Sequence, residues 1–166
     1  AGKTYYINTT NNLTYADGTT VEKGTYYFDA EGKMEIRNGV VDGVYYEYGL
    51  PVAYKGLVEL EGTYYYVVSN GKVITDKDYY VLNTNGLSFA EGVVVKQGTY
   101  HFNAEGKMEI PNGVVDGVYY EYGLPVEYKG LVEQDGAYYY VIGSGKVVAG
   151  KTYYINKTNN LTYADG

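Results

Sequence analysis

Tyr27 and Glu35, with Tyr45 and Glu47, place aromatic rings and carboxylates within one short stretch. The set returns 74 residues later as His101, Glu109, Tyr119 and Glu121. An exposed ring stacks on the face of a sugar, and a ring beside a carboxylate attracts a quaternary ammonium group. Repetition turns weak sites into avidity. These eight residues are the candidate ligand-binding set.

Other chemistry finds little support. His101 is the one histidine and its first-copy counterpart is Tyr27, so the repeat has no need of imidazole. With no cysteine and no second histidine, a transition-metal site lacks ligands. Asp29, Glu31, Asp42 and Glu61 stand beside glycines in turn-like segments, where Asp bonds its own backbone. They do not form the D-x-D-x-D-G run of a calcium loop. Ser69, Ser88 and Ser144 show no nucleophile elbow. The stretch "GSGK" (Gly143 to Lys146) lacks the P-loop spacing, and its copy "SNGK" reads as a hairpin turn. The expectation is a chain without catalysis, metal or cofactor.

Charge narrows the partners. A net charge of −7 is poorly suited to phosphate backbones and to anionic membrane surfaces. No apolar run approaches the ~18 residues of a spanning helix, and no signal-peptide pattern appears. The absence of cysteine removes disulfides and thiolate chemistry.

What must position the aromatic set is legible in composition and period. The chain carries 25 Tyr beside 3 Phe and no Trp, with 23 Gly and 3 Pro. Tyr and Val favour strands, and Gly punctuates them. Shifted by 74, the sequence matches itself without a gap at about two-thirds of positions. "GTYYFDAEGKMEI" at Gly24 returns as "GTYHFNAEGKMEI" at Gly98, and "NGVVDGVYYEYGLPV" at Asn38 returns unchanged at Asn112. Such a period means an array. Ala1–Gly18 returns as Ala149–Gly166 with one interior difference, Thr9 against Lys157. A stretch of a longer array and a chain built with matching ends both account for it. Tyr pairs begin at Tyr5, Tyr26, Tyr45, Tyr64 and Tyr79, with Gly-containing turn signals such as "DAEG", "SNG" and "NTNG" between them. That rhythm predicts β-hairpins. An isolated hairpin is marginal in water, so each must be stacked on its neighbours.

The hairpin around Asp29-Ala30-Glu31-Gly32-Lys33 reads as a three-residue loop closed by a left-handed Gly. The register then opposes Phe28 to Met34, Tyr27 to Glu35 and Tyr26 to Ile36. By strand alternation, Tyr26, Phe28, Met34 and Ile36 form a core face. Tyr27, Glu35, Asp29 and Lys33 form a wet face with an ion pair. "VYYEYG" puts Tyr46 and Tyr48 on one face, with Tyr45 and Glu47 on the other. For "TYYYVVSNGKVIT" an Asn-Gly turn and a three-residue loop give opposite faces, and both stay open.

An aromatic pair followed by Phe-Asp-x-x-Gly-x-Met, as in "YYFDAEGKM" (Tyr26 to Met34), resembles the hairpin repeat of choline-binding and glucan-binding modules. Those are cell-wall-binding repeats of Gram-positive surface proteins. "KGLVELEGTYYYVVSNGKVITD" (Lys55 to Asp76) and "KGLVEQDGAYYYVIGSGKVVAG" (Lys129 to Gly150) resemble the same pattern. The resemblance implies a solenoid of stacked hairpins and a bacterial secreted or cell-surface location. The family's choline pocket uses Trp with Tyr, and this chain has no Trp.

The sequence thus predicts an all-β, solenoid-like array of stacked β-hairpins with a 74-residue repeat of about four hairpins. Residues 1–74 and 75–148 are repeat units, 149–166 starts a third, and the whole is one continuous solenoid. The expected function is a non-enzymatic structural or adhesive segment. The alternative is a carbohydrate- or choline-type cell-wall-binding module using exposed tyrosines. Expected partners are cell-wall glycan or choline-like groups, and further copies associating end to end or by swapped terminal hairpins.

Overall fold

Two-residue turns with both central residues at positive φ set the architecture, because their twist matches that of paired strands. Asp42-Gly43, Tyr48-Gly49 and Glu61-Gly62 are such turns, and Asp116-Gly117, Tyr122-Gly123 and Asp135-Gly136 repeat them. A computed structural model describes residues 2–166. Among the described residues it is all-β, with two 3-10 turns and no α-helix. The chain is an array of antiparallel hairpins, as its sequence predicts. Two compact units form, one of residues up to Gln97 with Phe102–Met108, the other of Gly98–His101 with Glu109–Gly166.

In the first unit β1 (Lys3–Ile7) pairs with β2 (Gly24–Phe28), placing Thr4 opposite Tyr27 and Tyr5 opposite Tyr26. The intervening chain makes its own small turn, with Tyr15 N–H donating to Thr19 O at 2.8 Å. The Asp29 loop follows the predicted register. Asp29 N–H reaches Lys33 O at 2.9 Å, Gly32 has φ 81°, and Phe28 opposes Met34. The Asp29 carboxylate is not spent on an ion pair with the Lys33 side chain as expected. Its Oδ1 accepts from the backbone N–H groups of Glu31 and Lys33, at 3.0 and 2.8 Å.

Tyr26 is the centre of the expected core face, 1% exposed, but Ile36 is 39% exposed and leaves it. The ladder stops at the bond from Glu35 N–H to Tyr27 O. The turn glycine Gly49 covers the Tyr26 ring instead; a Cβ there would lie 2.9 Å from Tyr26 Cδ1.

The next element is a meander of β3 (Gly39–Val41), β4 (Val44–Glu47) and β5 (Leu50–Pro51). Alternation in β4 ends at Glu47, so Tyr48 does not share a strand face with Tyr46 as expected. It sits in the turn with φ 52°, a costly conformation for a bulky side chain. Asn38 Oδ1 accepts the Tyr48 N–H at 2.9 Å, and Arg37 O accepts from Gly49 N–H at 2.8 Å. The same Asn bond recurs between Asn112 and Tyr122 at 2.8 Å.

β6 (Gly56–Leu60) and β7 (Thr63–Val67) then form a hairpin buried on both faces. On one face Val58, Val67 and Val73 pack with Val40, Tyr45, Val52 and Tyr65. On the other, Tyr64 meets Phe89 edge-on at 5.5 Å and Tyr66 meets Tyr79 at 5.4 Å. Aromatics on both sides of one strand therefore mean neighbours on both sides. The 3-10 turn Ser69–Gly71 resolves the open register: Val68 N–H bonds Lys72 O at 2.8 Å across a three-residue loop. β8 (Lys77–Val81) closes this unit's strands, and the residues after it lie back on β6, with Leu57 N–H donating to Asn83 O at 2.9 Å. The opening of the second repeat thus folds onto the end of the first, and the compact units do not follow the repeat boundary.

After β9 (Gly98–Phe102), the second unit repeats the meander as β10 (Gly113–Val115), β11 (Val118–Glu121) and β12 (Leu124–Pro125). The hairpin returns as β13 (Gly130–Gln134) and β14 (Ala137–Val141). Residues 151–155 repeat the β1 sequence "KTYYI" but form no strand.

Candidate functional site

β2 and the start of the meander bring Tyr27 and Glu35 together, and a third residue joins them. The Arg37 guanidinium lies 4.5 Å from the Tyr27 ring centre and 5.8 Å from that of Tyr46. Its Nε donates to Glu35 Oε2 at 3.1 Å, which pushes its already high pKa further up. The side chains border a groove of about 370 Å³ lined by Thr4, Tyr27, Arg37, Tyr46, Leu50 and Pro51. Its make-up is two aromatic rings, one cation between them and a carboxylate behind. That arrangement can hold a flat group beside the rings, while Arg37 already fills the cation position over them.

Tyr45 and Glu47 lie elsewhere, because β4 alternates. Tyr45 packs on the Val58, Val67 and Val73 cluster, and burial, then the Glu47 charge, raises its pKa. Glu47 pairs with Lys55 Nζ at 3.0 Å. The eight-residue set is therefore not one surface: Tyr27 and Glu35 share Arg37 with Tyr46, while Tyr45 faces apolar side chains.

In the second copy Glu121 pairs with Lys129 at 2.7 Å, and Tyr119 is half-buried. His101 and Glu109 are exposed, and Pro111 stands where the first copy has Arg37. Sequence reasoning missed Arg37 and Tyr46. The signal available was that Arg37 is the only arginine, two positions from Glu35.

A second aromatic cluster forms where the small turn after β1 meets the Tyr48 turn. The Tyr15 and Tyr48 rings stack at 5.1 Å, and Tyr48 O–H donates to Asp17 Oδ2 at 2.6 Å. That bond, ahead of one from Thr19 N–H, holds the Asp17 carboxyl below its usual range. At the equivalent positions the second copy has Phe89 and Glu91.

Other rings serve as seams. Tyr64 O–H donates to Ser88 O at 2.6 Å, and 74 residues on Tyr138 O–H donates to Thr162 O at 2.9 Å. The Tyr54 and Tyr66 hydroxyls bond each other at 3.0 Å, as do those of Tyr128 and Tyr140 at 2.7 Å. The bond to Tyr140, more than desolvation, pushes Tyr128 up to about 12. Among the described residues, no group of three or more His, Asp or Glu could hold a metal ion.

No known protein family matches the chain by profile, and no curated protein matches it. Among solved structures it is similar to the modular autolysin LytC from Streptococcus pneumoniae, with 18% identity and a TM-score of 0.47. That match covers 87% of this chain and 33% of the other, so the chain spans about a third of the autolysin's length. CbpF in complex with ipratropium matches at 22% identity and a TM-score of 0.43, over 92% of this chain and 44% of that one. Choline-binding protein F from Streptococcus pneumoniae, in the presence of a peptidoglycan analogue, matches at 20% and 0.29, over 92% and 66%. The matched proteins thus include choline-binding proteins, the class whose repeats the Tyr26 and Tyr64 hairpins resemble.

Proposed function

We propose that the chain is a non-enzymatic structural and adhesive repeat segment of a secreted or cell-surface protein. The observation that carries this reading is the repeated seam. Tyr64 to Ser88 and Tyr138 to Thr162 make the same bond in two places, each tying a hairpin to the segment that follows it. A Tyr ring fills apolar space while its hydroxyl satisfies a backbone carbonyl, so the rings at these seams already have a structural task. No helix among the described residues is long and apolar enough to cross a membrane. The test is calorimetry of the folded chain against choline and a panel of cell-wall glycans. A structural segment gives no saturable heat; saturable binding overturns that reading.

The groove between Tyr27 and Tyr46 favours a second reading, a binding module for cell-wall glycan or a choline-like group. Arg37 occupies the place a ligand cation would take. On this reading Arg37→Ala strengthens choline binding and Tyr27→Ala abolishes it. Unchanged binding in both variants removes it.

A further inference from the structure

Of the described residues that line the groove beside Tyr27, Arg37 alone carries a charge. Glu35, its ion-pair partner, stays outside the lining. The chain has 20 acidic residues against 13 basic ones, so an acid-free groove lined by its single arginine runs against the composition. Thr4, Thr25, Tyr27 and Tyr46 bring hydroxyl groups to the same space, and Leu50 and Pro51 bring apolar surface.

Arg37 is held in place and still within reach of solvent, with its side chain 26% exposed. The Tyr27 ring and Glu35 fix the plane of the guanidinium from two sides. Glu35, and to a lesser degree the Tyr46 hydroxyl, reinforce its charge. A guanidinium has five N–H donors in a rigid fork, and Glu35 takes the one on Nε. The terminal N–H groups match a carboxylate, which such a fork binds through two parallel bonds. A cationic ligand would meet the same charge as repulsion. A volume of about 370 Å³ is at the small end for ligand sites and suits a single ring.

The second copy keeps the frame and loses the charge. Thr25, Tyr46, Leu50 and Pro51 return as Thr99, Tyr120, Leu124 and Pro125. Tyr27 becomes His101, Arg37 becomes Pro111, and Thr4 becomes Asp78. A residue needed to stack the array would return with the array, and these three change together. His101 is exposed with a whole repeat ahead of it in the chain, so this side of the strand is open inside the array.

We propose that the groove of Tyr27, Arg37 and Tyr46 binds an acidic sugar, a hexuronate residue of a glycan, with its carboxylate on Arg37. The sugar hydroxyls then meet the Thr and Tyr hydroxyls, and its apolar face meets the Tyr rings. This deepens the binding reading of the groove, on which it rests, and leaves the seam tyrosines their structural task. The two repeats hold one such site, because the second copy has an acid and no cation at the matching positions.

Nuclear magnetic resonance reads the site directly, since a single arginine gives a single Nε–Hε signal. The full nitrogen-labelled chain is titrated with methyl glucuronide, with methyl glucoside (the same ring without the charge) and with choline, at matched ionic strength. Methyl glucuronide should shift the Arg37 signal and the Tyr27 and Leu50 amides to saturation, with the Leu124 amide unmoved. Methyl glucoside should bind about tenfold more weakly, the weight of one charge-assisted hydrogen bond. Arg37→Lys keeps the charge and loses the fork, and should weaken methyl glucuronide by about tenfold, read on the backbone amides. Equal affinity for the two sugars, or shifts with choline and none with methyl glucuronide, would overturn the acidic ligand and keep a binding groove. No shift with any of the three would overturn the acidic ligand and the binding reading together. Equal affinity of wild type and Arg37→Lys, or equal shifts at Leu124 and Leu50, would overturn the place given to Arg37.

Discussion

The Arg37 guanidinium carbon stands 4.5 Å from the centre of the Tyr27 ring while Glu35 holds its Nε from the side. A cation on a ring at a partly exposed site contributes about 0.5–1 kcal/mol, and an exposed ion pair adds little. Arg37→Ala should therefore lower unfolding stability by about 1 kcal/mol in urea. Arg37→Lys should recover only part, because an ammonium cannot lie flat on the ring. Equal stability of all three proteins would show that the stacking contributes nothing.

Gly49 and Gly62 separate two costs. Both have positive φ, 84° and 83°. A Cβ at Gly62 meets open space, whereas one at Gly49 falls 2.9 Å from the Tyr26 ring. Gly62→Ala should cost about 1 kcal/mol from backbone strain alone. Gly49→Ala should cost about 3 kcal/mol or more, since the core ring must also shift. Comparable denaturation midpoints for the two variants would refute the role given to Gly49.

These two turns also mark how far the sequence was legible. The Asp29 loop was readable because its Asp and Gly signals are local, and its register held as far as Glu35. The Tyr48 turn was not, because Tyr-Gly is not the usual Asn-Gly or Asp-Gly pair and its support comes from Asn38, ten residues away. Ile36 was misplaced for the same reason: what covers Tyr26 is Gly49, from a different hairpin. In the candidate site, alternation correctly separated Tyr45 from Tyr46. Which face was covered depended on Val58, Val67 and Val73, which arrive later in the chain. "KTYYI" is strand at residues 3–7 and not at 151–155, so no local rule could have assigned both.

Removing a seam hydroxyl isolates one bond. Tyr64→Phe leaves the Ser88 carbonyl without its 2.6 Å donor and should cost about 1 kcal/mol in thermal or urea unfolding. Tyr138→Phe should cost less, because Tyr138 is exposed and water can replace the donor. Tyr64→Phe without effect would remove the seam's contribution to stability.

Alkali should unfold the chain through its tyrosines. Hydrogen bonding raises Tyr128 to about 12, and burial raises Tyr26, Tyr45 and Tyr64. The folded state holds these phenols neutral, so their contribution is complete below the unfolded value of about 10 and is lost as pH rises through the folded values. Asp17 acts at the other limb, where its contribution is present above its ordinary value and lost as acid protonates it. Tyrosinate absorbance and far-ultraviolet dichroism, followed together, should show alkaline ionisation lagging and then rising with unfolding. Smooth titration near pH 10 with intact dichroism would contradict this.

Because residues 75–97 fold with the hairpin that ends the preceding repeat, each seam joins one repeat to the next inside a compact unit. A 74-residue block added or removed in register would therefore rejoin surfaces that already fit, with no compensating substitution at the join.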